Sequence, residues 1–328
     1  MAGFKRDVTR LTLILKRQAG QRFGADYQPA QQATVAEAPS RSRASIVASA
    51  KLGRGVHLLS HPETHPTFLA LYHPQLFDLH EQRMLSTGPA VHPLFGHPKA
   101  VGMQLPPLPG TVRVLADLGK LNKHPIVLYK PSPDPRTWER LPFPYLADLL
   151  LFLEDDAGPY CVNWTVKNDP EEFKRRGGYN GKPVRRGVRV DPSVTLRHEL
   201  EALHYAAGGI RTVQITPERF DMEVINNLRR LFLFHARKLR VDDSVRRAVI
   251  QMFAQVIGTP TRTFEVSRAA MSDMDLTLDV VDTIRNQAIW NRELRVDLFS
   301  ALLSDQPLRP ETVDVCVHYR HLFAREVA

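Results

Sequence analysis

The chain has 328 residues, 43% of them apolar and 24% charged, an ordinary balance for a soluble globular protein and too long for a single growing core. No run of 18 or more apolar residues exists, which excludes a membrane-spanning helix, and the start lacks the apolar stretch of a secretory signal. Lys and Arg outnumber Asp and Glu by 44 to 35, a net +9, while the two cysteines, Cys161 and Cys316, lie far apart; a cytoplasmic protein without a structural disulfide is expected.

The positive charge is concentrated. Residues 1–60 carry ten Lys/Arg against three acids, and residues 174–197 carry eight against Asp191 alone. Such clusters suit a polyanion, because each neutralised phosphate releases a counterion.

In chain order, residues 6–23 read as a basic amphipathic helix, and 24–49, rich in Ala, Gln and Ser, as a linker or poorly ordered arm. A short helix is expected over 63–71, closed by His73-Pro74. Residues 77–85 alternate like a strand, 86–110 are loop, and 111–115 and 126–129 are short strand candidates. Runs 145–153 and 160–167, separated by Glu154-Asp-Asp-Ala-Gly-Pro159, predict a hairpin. A helix over 196–207 stops at Gly208-Gly209 and leads into a strand over 210–215. From Asp221 the pattern turns helical: 221–239, 243–257 and segments within 265–304. The expected fold class is α/β with a mainly helical C-terminal domain, divided into a basic arm (1–55), an α/β domain (56–218) and a helical DNA- or partner-binding domain (219–328).

The hairpin carries the chemistry. Asp148 interrupts its first apolar run and Lys167 ends its second. A carboxylate inside one strand facing an ammonium on its neighbour is costly for folding alone, and it is what a metal-assisted nuclease of the PD-(D/E)xK type requires. In that scheme Asp148 is the central metal ligand, the backbone around Thr165 or Val166 adds to the sphere, and Lys167 offsets charge building on the phosphate. A further carboxylate from a preceding helix is needed, and Glu63 is chosen, with Glu81 as rival. The cation is Mg²⁺, with Mn²⁺ as a substitute. Lys174, Arg175, Arg176, Lys182, Arg185, Arg186 and Arg189 are the expected DNA contacts. Zinc is disfavoured: Pro62 and Pro66 interrupt the helix that would present His61 and His65 together.

These residues resemble the TnsA family, the endonuclease subunit of heteromeric transposition systems. The likeness lies in Ser60-His-Pro-Glu63, in Gln82 nineteen residues on, in Asp148 and Lys167, in the stretch 201–216 and in Asn226-Asn-Leu-Arg-Arg-Leu231; it spans roughly 60–312. Thr165 departs from the family's frequent Glu or Gln, and Ala147 from a frequent Pro. The resemblance implies a restriction-endonuclease-like core that makes Mg²⁺-dependent cuts at transposon 5′ ends on double-stranded DNA. It further implies a TnsB-like transposase and a TnsC-like ATPase regulator as partners, at the bacterial nucleoid. A stand-alone restriction or repair nuclease and a non-catalytic assembly subunit are the alternatives.

Overall fold

The computed structural model describes residues 7–39, 43–130, 138–175 and 190–326. These divide into two units. The first comprises residues 7–66, 74–218 and 323–326, and the second residues 67–73 and 219–322.

The first unit is mixed α/β. Its N-terminal helix α1 (Val8–Arg17) is capped by Asp7, whose side chain accepts from the Arg10 N–H. The expected linker is absent from residues 24–39: they are pinned to the unit rather than loose. Leu11 and Ile14 are buried with Ala30, Val127 and Phe143. Arg10 and Arg17 converge on Glu37 at 2.9 and 2.7 Å. Burial opposes ionisation of Glu37, but the Arg17 bonds win and hold its carboxyl at about 2. The Tyr27 hydroxyl donates to the Glu81 carbonyl, and its ring stacks on His80. Part of the arm's positive charge is therefore spent inside the fold.

A hairpin, β1 (Ser45–Ser49) and β2 (Arg54–Leu58), follows. Helix α2 (Thr64–Tyr72) comes directly after a tight turn over His61–Glu63, with Pro62 in its opening positions, where a missing N–H costs nothing. Strand β3 (Leu76–Glu81) is succeeded by the short β4 (Met84–Leu85). Residues 111–115, expected as a strand, lie instead in helix α3 (Thr111–Asp117). Thr111, Val114 and Leu115 form one buried helical face, so packing overrides the β-branched propensity. Gly110 enters that helix at φ 82° with Gly88 backbone 2.4 Å from where a Cβ would sit, a position open to glycine alone.

Strands β5 (Ile126–Tyr129) and β6 (Glu139–Pro142) pair as a ribbon, and β7 (Tyr145–Leu146) pairs with β4. The predicted hairpin is formed by β8 (Leu149–Asp155) and β9 (Gly158–Val166). Helix α4 (Pro192–Ala206), capped by Asp191, leads to β10 (Arg211–Ile215). The main sheet runs β10-β9-β8-β3; β10 is parallel to β9 and the other pairs are antiparallel. β8 is buried throughout Leu149–Leu153, as a central strand covered on both faces must be. On one face Leu150, Phe152 and Cys161 pack with Leu115, Leu200 and Tyr205.

The second unit is helical. Its helices are α5 (Met222–Phe232), α6 (Asp243–Val256), α7 (Thr263–Met274) and α8 (Leu278–Trp290), followed by the short α9 (Val315–His318). The α5 stripe Val224, Ile225, Leu228 and Leu231 is buried, and Asp221 caps its start. Asn227 clamps the later loop, donating to the Leu298 and Ser300 carbonyls and accepting from the Leu302 N–H. Among the described residues no helix is long and apolar enough to cross a membrane.

Candidate functional site

The run 145–153 is not one strand. It breaks at Ala147–Asp148, and the facing chain breaks at Gln82–Arg83, where Gln82 adopts φ 49°. Two bonds hold the paired breaks together: the Gln82 N–H donates to the Asp148 carbonyl (3.0 Å) and the Ala147 N–H to the Arg83 carbonyl (2.8 Å). Paired irregularities of this kind re-aim side chains at the end of a sheet. Here the Asp148 side chain reaches across to the end of β9.

Asp148 Oδ2 accepts from the Val166 N–H at 2.7 Å and from Thr165 Oγ1 at 3.4 Å, and Lys167 Nζ lies 3.5 Å away. Oδ1 accepts no hydrogen bond among the described residues. Lys167 Nζ also donates to the Val166 carbonyl at 2.9 Å, while its backbone N–H continues the parallel ladder to Ile215. Burial works against the Asp148 charge, yet Lys167, Arg197 and the Val166 N–H together hold its carboxyl below the usual range.

Glu63 comes from the turn before α2. Ser60 Oγ donates to its Oε1 at 2.6 Å, and the Leu59 N–H (3.0 Å) and Gln82 Nε2 (3.3 Å) donate to its Oε2. Only 5% exposed, its carboxyl is pushed up to about 7, first by burial and then by the negative charge of Asp148. Glu63, Asp148, Val166 and Lys167 line one cavity of about 1020 Å³, with Arg43 and Arg197 among its other walls. Three segments far apart in sequence are thus brought together.

Other predicted residues fall elsewhere. Glu81 is engaged in a bidentate ion pair with Arg54 (2.8 Å to each oxygen) and accepts from the His57 N–H, away from the cavity. Thr165 is buried, and its hydroxyl supports Asp148; of the two backbone candidates, Val166 reaches the cavity and Thr165 does not. Lys174 and Arg175 lie within ion-pair range of Glu171, at 4.0 and 3.2 Å. Arg176, Lys182, Arg185, Arg186 and Arg189 lie outside the described residues.

Four further residues take places at the site, of which only Gln82 was singled out in the sequence, through the family resemblance. Gln82 joins Glu63 to the Asp148 backbone. Arg197, on α4, donates to the Leu146 carbonyl at 3.1 Å and borders the cavity. Beneath the site, His198 Nδ1 lies 3.5 Å from Thr165 Oγ1, and burial, helped by Lys167, lowers its ring to about 4, so it is neutral at pH 7. Glu201 accepts from Asn163 Nδ2 at 2.8 Å, and burial with the Asp148 charge raises it to about 7. The i, i+3 spacing of His198 and Glu201 on one helical face was the available signal.

Among the described residues no three His, Cys, Asp or Glu side chains stand together as a self-sufficient metal site. Mg²⁺ needs no such set, because it keeps several waters and is completed by substrate phosphate, so one or two carboxylates suffice. A buried carboxylate, Glu63, whose ionisation is opposed by the charge of the partly buried Asp148, beside a backbone carbonyl, fits such an ion. Comparison with known proteins finds no family model and no curated relative that matches the chain.

Proposed function

We propose that this chain is a divalent-metal-dependent DNA endonuclease with a restriction-endonuclease-like, PD-(D/E)xK-type centre. The observation that carries the reading is the convergence of Glu63, Asp148 and Lys167 on one cavity, with Lys167 held against Asp148 and the charge of Asp148 felt by Glu63. Glu63 and Asp148 would hold Mg²⁺ or Mn²⁺, with the Val166 carbonyl available beside them. A bound ion of this kind acidifies water and polarises the phosphoryl oxygen. Asp148 is held ionised at neutral pH, whereas burial and the charge of Asp148 keep Glu63 partly protonated there. Lys167 supplies fixed positive charge where negative charge grows on the phosphate. Arg43 and Arg197 give the cavity further attraction for the DNA backbone.

The resemblance to TnsA supports the narrower form of this reading: cutting at transposon 5′ ends, beside a TnsB-like transposase and under a TnsC-like ATPase, at the bacterial nucleoid. The test is cleavage of duplex DNA carrying transposon ends, with Mg²⁺ or Mn²⁺, with and without the transposase. Asp148→Ala is expected to lose at least about 10²–10³ in rate, with DNA affinity at fixed salt little changed. Thermal stabilisation by Mn²⁺, lost in the same variant, reads the metal independently of cutting. Normal cleavage by Asp148→Ala sinks the site. Cleavage without a partner supports the stand-alone nuclease. No cleavage under any condition, together with no response to metal, assigns the chain a non-catalytic assembly role, the reading that Thr165 favours.

A further inference from the structure

The ribbon of β5 and β6 is rooted in the catalytic cleft, since Pro125 just before β5 and Phe143 just after β6 both line it. One face of the ribbon is covered: Val127 is buried and Leu141 packed with Leu11 and Ile14 of α1. The register pairs Ile126 with Pro142 and Leu128 with Arg140, and Lys130 and Trp138 continue the same alternation just beyond the paired residues. Side chains alternate along a strand, so these residues share the opposite face.

That face is open. Ile126 is 42% exposed, Leu128 55% and Trp138 56%, with Lys130 and Arg140 exposed between them. Neither cation has an ion-pair partner among the described residues. Lys120 and Lys123, exposed in the approach to β5, add to the charge, and Glu139 is the single acid among described residues 119–142. A contiguous exposed apolar patch marks an interaction surface. The sign of the charge selects a polyanion, and one aromatic ring with aliphatic neighbours between two cations matches a nucleic acid, whose bases stack on aromatics and whose phosphates take Lys and Arg. Apolar side chains of this size also wedge against base steps.

We propose that this face of the ribbon grips the duplex flanking the scissile phosphate, with Trp138 and Leu128 against bases and Lys130 and Arg140 on phosphates. The proposal rests on the endonuclease reading and adds to it a contact outside the catalytic centre.

The chain itself supplies the probe. It has three tryptophans, and Trp164 (0% exposed) and Trp290 (8%) are buried, so acrylamide quenching of tryptophan emission reports Trp138. Full-length protein is titrated with duplex DNA in EDTA, binding being followed separately by anisotropy of the labelled duplex. DNA is expected to reduce the quenching constant about two-fold or more, an effect absent in Trp138→Phe read through its two remaining tryptophans. Trp138→Ala is expected to weaken binding about ten-fold, and Arg140→Gln to lower the salt slope by about one. Metal-dependent cutting with Trp138 equally quenchable in the complex overturns the ribbon contact and leaves the endonuclease reading intact. Failure both to bind DNA and to cut it removes the endonuclease reading, and the ribbon contact with it. A chain that sediments as a dimer and becomes monomeric with Leu128→Asp gives this face to a second copy, which also overturns the proposal.

Discussion

In the metal-free chain, replacing Glu63 by Gln is expected to change the shape of the stability–pH curve. Burial and the charge of Asp148 raise the Glu63 carboxyl from 4.5 to about 7. Between those two values the folded chain keeps a proton that the unfolded chain has released. Stability contributed by this group is complete below pH 4.5 and is lost as the pH rises to about 7. At about 1.4 kcal/mol for each pH unit, the loss amounts to roughly 3 kcal/mol at most. Gln does not titrate, so its curve lacks that fall. Any constant cost of the substitution, such as a weaker bond from Ser60 Oγ, displaces the whole curve without bending it. Glu201, raised to about 7 as well, titrates in both proteins and largely cancels.

Urea denaturation in EDTA at pH 5, 6, 7 and 8 measures this directly. The stability of the variant relative to the wild type should grow by about 2–3 kcal/mol across the series. Mg²⁺ at pH 8 should then stabilise the wild type by about 1.4 kcal/mol at ten times its dissociation constant, with much less effect on the variant. Parallel pH curves, or equal Mg²⁺ responses, would refute the claim that Glu63 is a buried, proton-holding ligand.

Lys167→Met should lower kcat by at least about 10² while KM for DNA moves little, because the lost charge matters most as the phosphate gains charge; a change confined to KM would make Lys167 a binding residue only. Arg54→Ala leaves the buried Glu81 carboxyl without its bidentate partner, and denaturant unfolding should show a loss of about 3–5 kcal/mol, mostly recovered in the double variant Arg54→Met with Glu81→Leu. Ile14→Ala should cost about 2–4 kcal/mol, as expected for a fully buried side chain, whereas a loss under about 0.5 kcal/mol would mean that α1 is not part of the core.

The hairpin was legible because two apolar runs flank a turn with the right chemistry, and its register, with Leu149 opposite Trp164, brings Asp148 to the end of β9 within reach of the Lys167 side chain. The break before Asp148 was not. Residues 145–153 read as a single strand, and what divides them is a distant partner, Gln82 in a left-handed conformation. Helix α3 was hidden by Val112 and Val114, whose strand preference yields to a buried 3–4 spacing. Residues 24–39 belong to a stretch, 24–49, that looked like a linker because it is rich in Ala, Gln and Ser. Their anchors are single long-range contacts, Tyr27 to Glu81 and Glu37 to Arg10 and Arg17, which leave no periodic trace. The same contacts explain why counting charge overstated what the N-terminal segment offers to a polyanion.

Burial acts alike on Glu63 and Asp148, yet their carboxyls are driven in opposite directions, and the reason is the order in which the chain assigns partners. Asp148 receives the ammonium of Lys167, the guanidinium of Arg197 and a backbone N–H, all delivered by β9 and α4. Glu63 receives a hydroxyl and a backbone N–H from its own turn and the amide of Gln82, and faces the charge that Asp148 already holds. On the endonuclease reading, the protein's own cations hold the charge of one carboxylate, and a bound cation would offset the charge deficit at the second. Filling the deficit with another internal cation would stabilise the fold and close the site. On the endonuclease reading, that unfavourable pairing would make the cavity a place where a divalent ion gains more than water can return.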